Sequence, residues 1–251
     1  MAVRIRFTVA YDGTRYAGWQ IQPKDPTVQA EIERALAAVL SRKVNIVASG
    51  RTDSGVHARG QVCHFDSPNE SMPPEKYSLA LNRHLPADIR VLASSRAADS
   101  FHARYSAVAR EYRYYLRQTR IADPFERPYF YCRSNLPAPA LMDSYAARLV
   151  GIHDFTTFSA AGDESPSKLR QVYSASVFMQ HGAMVFRIVG NAFLWRMVRS
   201  LVGTMLELGQ NGAPPERMTE LLRLQDRKLA GATAPPYGLF LHKVSYGTGQ
   251  A

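Results

Sequence analysis

Along this chain the spacing of apolar residues switches between a period of two and a period near four, and it does so in the same order twice. Period two marks strands with one buried face and the longer period marks amphipathic helices, which confines the chain to α+β architectures built from a repeated unit. Val3, Ile5, Phe7, Val9 and Tyr11 alternate with Arg4, Arg6, Thr8 and Ala10 as a half-buried strand. Thr27 offers an N-cap to a helix with the apolar stripe Val28, Ile32, Leu36, Val39 and Leu40. Strands are expected over residues 44–49 and 61–66, a helix over 74–84 after Pro73-Pro74, and a strand over 89–95, so the first half reads β-α-β-β-α-β.

The second half repeats that order. A strand over 109–117 sets Tyr112, Tyr114 and Leu116 against Arg113, Tyr115 and Arg117, and a helix runs from Pro139 to near Gly151. A hairpin of 172–179 with 184–189 turns at His181-Gly182. Phe193, Met197, Leu201, Met205 and Leu208 line one face of a long helix, a further helix follows Pro214-Pro215, and a strand over 240–246 closes the chain. The expected fold is α+β, with two ferredoxin-like halves, residues 1–105 and 106–251, whose sheets are joined or adjacent.

Chemistry is expected where the first half breaks its pattern. Between the strands at 44–49 and 61–66 lies Gly50-Arg51-Thr52-Asp53-Ser54-Gly55-Val56-His57-Ala58-Arg59-Gly60. A hairpin connection is usually short, so roughly ten residues carrying three glycines, two arginines, one histidine and one carboxylate suggest a functional insertion. Glycine opens backbone conformations closed to other residues and lets such a loop bring Asp53 and its cations close to a ligand. The competing reading is a capped turn, because Asp beside Gly often bonds neighbouring N–H groups.

Net charge is +10, with 15 basic against 10 acidic residues over 1–110 and 16 against 11 over 111–251. Positive charge carried equally by both halves fits a polyanionic partner rather than a detachable basic tail. Arginine outnumbers lysine 25 to 6, which suits bidentate phosphate recognition and stacking on bases, although arginine-rich codon usage would give the same excess. Cys63 and Cys132 lie far apart with no metal-ligand spacing, so no metal is expected, and Cys63 reads as a buried free thiol. No apolar run reaches the roughly 18 residues that cross a bilayer, and the first residues run directly into a strand pattern, so a cytoplasmic protein with no membrane partner is expected.

The loop Arg51-Thr52-Asp53 followed by Gly55-Val56-His57 resembles the signature of the tRNA pseudouridine synthase A family. Tyr11-Asp12-Gly13, Tyr16 and Gly18-Trp19-Gln20 resemble that family's opening strand and turn. Phe101-His102-Ala103-Arg104, the segment from Arg110 to Tyr114, Asp154-Phe155 with Phe158, Asn191-Ala192-Phe193-Leu194, Met197-Val198-Arg199 and Gly238-Leu239-Phe240-Leu241 follow in family order. The chain departs from the pattern at Trp195-Arg196, where the family often has histidine or another small polar pair. The resemblance implies an extended, mainly antiparallel sheet flanked by helices with a cleft between the halves. It implies isomerisation of uridine to pseudouridine at positions 38, 39 and 40 of the anticodon arm of tRNA, by a homodimer and without a cofactor.

This reaction detaches uracil from C1′ of its ribose and rejoins it through C5, so the enzyme must stabilise an electron-poor sugar carbon. Asp53 is the expected catalytic group, acting at C1′ covalently, electrostatically or by assisting proton removal. By resemblance Arg199 pairs with that carboxylate and Tyr112 sits in the pocket, stacking on uracil and offering its hydroxyl; the matching reading of Tyr114 is core packing. Arg51 is expected to occupy the position vacated by a flipped base, a step that costs a few kcal/mol in unstacking. His57 and Arg59 are expected as lesser RNA contacts and Leu241 as an apolar wall to the base. A hydrolase would want a second carboxylate, and the nearest acid after Asp53 is Asp66. A catalytically silent RNA-binding module would use Tyr112 and Tyr114 as stacking residues and be indifferent to Asp53. Neither a P-loop nor a Rossmann glycine fingerprint occurs.

Overall fold

The computed structural model describes residues 3–68 and 71–247. In chain order it runs β1 (Val3–Tyr11), α1 (Val28–Leu40), β2 (Val47–Ala48), β3 (His57–Ser67), α2 (Tyr77–Asn82), β4 (Ile89–Arg96), β5 (Ala107–Gln118), β6 (Tyr131–Arg133), α3 (Pro139–Ala147) and β7 (Gly151–Asp154). It continues through β8 (Leu169–Gln180), β9 (Ala183–Gly190), α4 (Met197–Gln210), α5 (Glu216–Leu224) and β10 (Leu239–Tyr246). The chain forms two compact units, one comprising residues up to Val108 together with those from Phe240 onward, the other Ala109–Leu239.

In the first unit β1 is central, antiparallel to β3 on one side and to β4 on the other. Its inward residues Ile5, Phe7 and Val9 are fully buried, and Phe7 meets Phe65 of β3 edge-on at 6.0 Å. Thr27 caps α1 with its side chain accepting from Ala30 N–H, and Val28, Ile32 and Leu36 enter the core; Val39 and Leu40 are only half-buried. The expected strand over 44–49 shrinks to the two residues of β2, which pair with His64 and Cys63 of β3, while β3 runs longer than expected. The helix expected from residue 74 begins as a 3-10 turn at Pro74–Lys76 and becomes α-helical only at Tyr77. The order β4-β1-β3-β2 is ferredoxin-like. The last strand belongs to this unit, not to the second as its position suggests: β10 pairs parallel with the start of β3, Phe240 opposite His57 and Leu241 opposite Ala58.

In the second unit β5, β9, β8 and β7 pair antiparallel in that order, with β6 parallel to β5. The β8–β9 hairpin turns at His181 (φ 47°) and Gly182 (φ 73°), two left-handed residues that match strand twist in a two-residue loop. The helix expected to reach Gly151 stops at Ala147, and Gly151, at φ 120°, opens β7 instead. Phe193 is not on α4: Arg196 adopts a left-handed φ of 60°, so the helix starts at Met197, and Leu208 is half-exposed. Most of α4 is buried, including Met197, Val198, Leu201, Val202 and Met205.

The loop 231–234 lies against α4 at backbone contact, because a Cβ built on Gly203 would come within 1.8 Å of Ala232 O. Gly203→Ala is therefore expected to lower stability by about 1–3 kcal/mol, read as a lower urea midpoint with unchanged m-value. His64 is 5% exposed, accepts the Ala103 N–H at Nδ1 (3.2 Å) and has its pKa lowered to about 4 by burial, with Arg4 and His102 adding to the effect. An unfolded histidine titrates near 6.5, so stability from this site is intact above pH 6.5 and lost as pH falls toward 4, by up to about 3 kcal/mol. His64→Asn, which keeps an acceptor but not the titration, is expected to flatten the pH dependence of urea unfolding across that window.

Candidate active site

The Asp53 loop in the first unit is held through its backbone. Thr52 O accepts from Trp19 N–H at 3.1 Å, Tyr16 O accepts from Gly55 N–H at 3.3 Å and from the Ser54 hydroxyl at 3.2 Å, and Gly50 O accepts from Gln61 Nε2 at 2.7 Å. The loop closes on itself where Val56 N–H donates to Asp53 O at 3.1 Å. Below it Thr52 Oγ1 lies 2.8 Å from the buried Tyr11 hydroxyl, and Ser49 donates to Gln61 Oε1 at 2.5 Å. The segment after β1 presses so closely that side chains would not fit: a Cβ on Gly13 would stand 2.1 Å from Val56 O, and one on Gly18, at φ 102°, 2.7 Å from Thr52 O. Asp53, held on this scaffold, is half-buried, while Arg51 beside it is exposed.

His57 is fully buried, which corrects its reading as an RNA contact. Its Nδ1 accepts from Gly13 N–H at 3.0 Å with Asp12 Oδ1 3.1 Å away, and its ring stacks on Phe240 at 4.6 Å. A ring in that setting presents no face to a nucleic acid; it props the segment 12–13 against the loop. Arg59, next but one, is exposed with its guanidinium 5.6 Å from the centre of the Phe240 ring. Leu241 is buried, following Phe240 on β10.

The second unit carries Tyr112 and Arg199. Tyr112 on β5 pairs with Ile188 of β9, is half-buried, and meets Phe193 edge-on at 5.2 Å. Tyr114 is fully buried with its hydroxyl donated to Pro235 O at 2.8 Å, and burial pushes its pKa well up, so it is a packing residue. Arg199, half-buried on α4, donates from Nε to Ala234 O at 2.8 Å, and its own carbonyl accepts from Ala234 N–H at 3.1 Å. Glu111 binds Arg113 at 2.8 Å and Arg187 at 3.0 Å; burial alone would raise its carboxyl, but the two guanidiniums hold it below the ordinary range. Sequence reasoning passed over Gly13, Tyr16, Gly18 and Trp19 as site residues. The signal was present in two glycines closely following a strand, a pattern that marks close backbone approach.

Among the described residues no group of three or more His, Cys, Asp or Glu side chains is placed to hold a metal, and no helix is long and apolar enough to cross a membrane. The first unit thus presents a single half-buried carboxylate on a backbone-braced loop, with the exposed Arg51 beside it, in an α+β fold. A family model described as tRNA pseudouridine synthase matches residues 8–106 and 145–247. The chain is 47% identical to tRNA pseudouridine synthase A of an Exiguobacterium species over 97% of its own length and 98% of that relative's. It is 44% identical to the proteins of the same name from Bacillus pumilus and Bacillus subtilis, over 97% of this chain and 99% of each relative. The chain belongs to the tRNA pseudouridine synthase family, isomerases that convert uridine in tRNA to pseudouridine.

Gly18→Ala puts a Cβ against Thr52 O at a backbone angle that L side chains rarely adopt. It is expected to cost about 1–3 kcal/mol in stability and, by shifting the Asp53 loop, at least tenfold in kcat. Tritium release from tRNA labelled at uridine C5, measured below the variant's unfolding range, checks this.

Proposed function

We propose that this enzyme isomerises uridines 38, 39 and 40 in the anticodon arm of tRNA and that Asp53 is the group acting at C1′. The observation that carries this reading is the mounting of Asp53: hydrogen bonds from the Trp19 and Gly55 main chain and the Gln61 side chain fix the loop around a half-buried carboxylate. A negative charge fixed in advance stabilises an electron-poor carbon without reorganisation at the moment of reaction. Each turnover breaks the C1′–N1 bond, forms C1′–C5, releases the C5 proton to solvent and takes up one proton at N1, so the product is an isomer of the substrate and nothing is consumed.

The remaining roles follow from exposure and chemistry. Arg51, exposed two residues before Asp53, occupies the position of the flipped base and contacts phosphate. Tyr112, braced by Phe193, stacks on the uracil, and Arg199, braced by Ala234, supplies a cation to the substrate. Arg59, exposed on β3, contacts phosphate, whereas Leu241, 1% exposed, packs behind the site and does not reach the base. The functional assembly is a homodimer that binds one tRNA across both subunits, and it works in the cytoplasm. Three successive nucleotides are served by contacts that read shape and phosphate, which position an RNA without specifying its sequence.

Asp53→Asn is expected to abolish tritium release from 5-tritiated tRNA by at least a thousandfold, about 4 kcal/mol of transition-state stabilisation, with tRNA affinity retained at matched salt. Equal release by both proteins would remove Asp53 from the chemistry. Appearance of free uracil in place of pseudouridine would make the enzyme a hydrolase.

A further inference from the structure

Trp195 and Arg196, just before α4, form a built feature of the second unit. Trp195 is 45% exposed, an unusual position for a residue of its size. Its backbone is nonetheless fixed on both sides: N–H donates to Asp163 Oδ2 at 2.6 Å and the carbonyl accepts from Ala160 N–H at 3.0 Å. The anchor is a costly one. The Asp163 side chain is 3% exposed, and burial alone would raise its pKa; Lys168 at 2.5 Å and the Trp195 and Ser165 N–H groups hold it well below the ordinary carboxylate range. The indole packs on Gly162, where a Cβ would stand 3.1 Å from Cζ3, and the Arg196 guanidinium lies 4.7 Å from the ring centre.

Arg196 itself is exposed and held at φ 60°, a left-handed conformation that disfavours a side chain other than glycine. The lysine at this site is engaged otherwise, since Lys168 binds Asp163. None of the ion pairs among the described residues includes Arg196. A guanidinium stacked on an indole keeps its N–H edges available and loses little rotamer freedom on binding. The same strap, 191–196, places Phe193 against Tyr112 and leads within three residues to Arg199.

From this geometry we infer that Arg196, positioned by Trp195, is a preorganised clamp for a backbone phosphate of the tRNA close to the target uridine. The inference rests on the pseudouridine synthase reading and adds a positioning pair to it. Asp163 and Gly162 support the clamp, Trp195 orients it and Arg196 makes the contact.

Filter binding of unmodified tRNA transcript across 50–200 mM salt tests this, with exposed Arg223 on α5 mutated as the control. Arg196→Ala is expected to weaken binding on the order of tenfold and lower the slope of log K against log salt by about one, more than Arg223→Ala does. Trp195→Ala removes no charge, yet is expected to weaken binding several-fold, to be rescued by Trp195→Phe, and to add nothing to Arg196→Ala in the double variant. In turnover the loss should fall more on KM than on kcat. Binding and slope unchanged in Arg196→Ala, or changed only as much as in Arg223→Ala, would overturn the clamp. Additive effects of the two substitutions would overturn the positioning role of Trp195. Wild-type tritium release, measured on the same preparations, keeps the two readings apart: its absence removes the proposed function, whereas release with unaltered variant binding removes only the clamp.

Discussion

Two glycines, Gly13 and Gly18, let the segment after β1 lie on the Asp53 loop at backbone contact. The arrangement of the first unit's site depends on that approach. With no side chain between them, the two segments exchange main-chain hydrogen bonds directly: Trp19 to Thr52 and Gly55 to Tyr16. Main-chain bonds fix positions with little residual freedom, and catalytic groups need placement to within about 0.5 Å. Around this contact the buried polar groups are satisfied locally, Tyr11 by Thr52, Ser49 by Gln61 and His57 by the Gly13 N–H. β10 closes the arrangement by setting Phe240 under the His57 ring and pairing with the first residues of β3. The carboxylate thus rides just ahead of a strand paired on both sides, on two loops that constrain one another.

The second unit reaches a comparable rigidity by other means. Gly203 admits the loop 231–234 to α4, and the paired bonds between Arg199 and Ala234 then fix an arginine whose long side chain would otherwise sample many rotamers. On the sheet face Glu111 takes two guanidiniums, so the charges flanking Tyr112 are ordered. In the strap before α4 a buried carboxylate orders Trp195. Removing one partner from such a pair strands a buried charge, so these are features that tolerate little change even though a buried ion pair as a whole adds little to stability.

What could be read from the sequence follows the range of the interaction concerned. β1, α1, β4 and the β8–β9 hairpin depend on side-chain periodicity, a cap and a two-residue turn, all local, and their residues carry those signals directly. The parallel pairing of β10 with β3 joins residues nearly 200 apart, and nothing in either strand marks its partner. The stripe from Phe193 to Leu208 has helical spacing, but a single left-handed residue at Arg196 interrupts it; arginine gives no local sign of adopting that conformation. The Asp53 loop was legible because its length and glycines are local facts. His57 was misread for the opposite reason, since a histidine beside two arginines looks like surface until β10, almost two hundred residues later, covers its ring.

The arginines differ in what holds them. Arg4, Arg15, Arg113, Arg117, Arg148, Arg187 and Arg217 each engage a carboxylate, and exposed pairs of this kind contribute about 1 kcal/mol or less. Their effect is to arrange charge and to neutralise it over parts of the surface. Arg51, Arg59 and Arg196 enter none of the ion pairs among the described residues, and each is exposed next to a structured element: the Asp53 loop, the Phe240 ring and the Trp195 indole. A net charge of +10 would attract RNA anywhere if it were evenly free. Pairing arginines with acids lowers that field over the parts of the surface where the pairs lie.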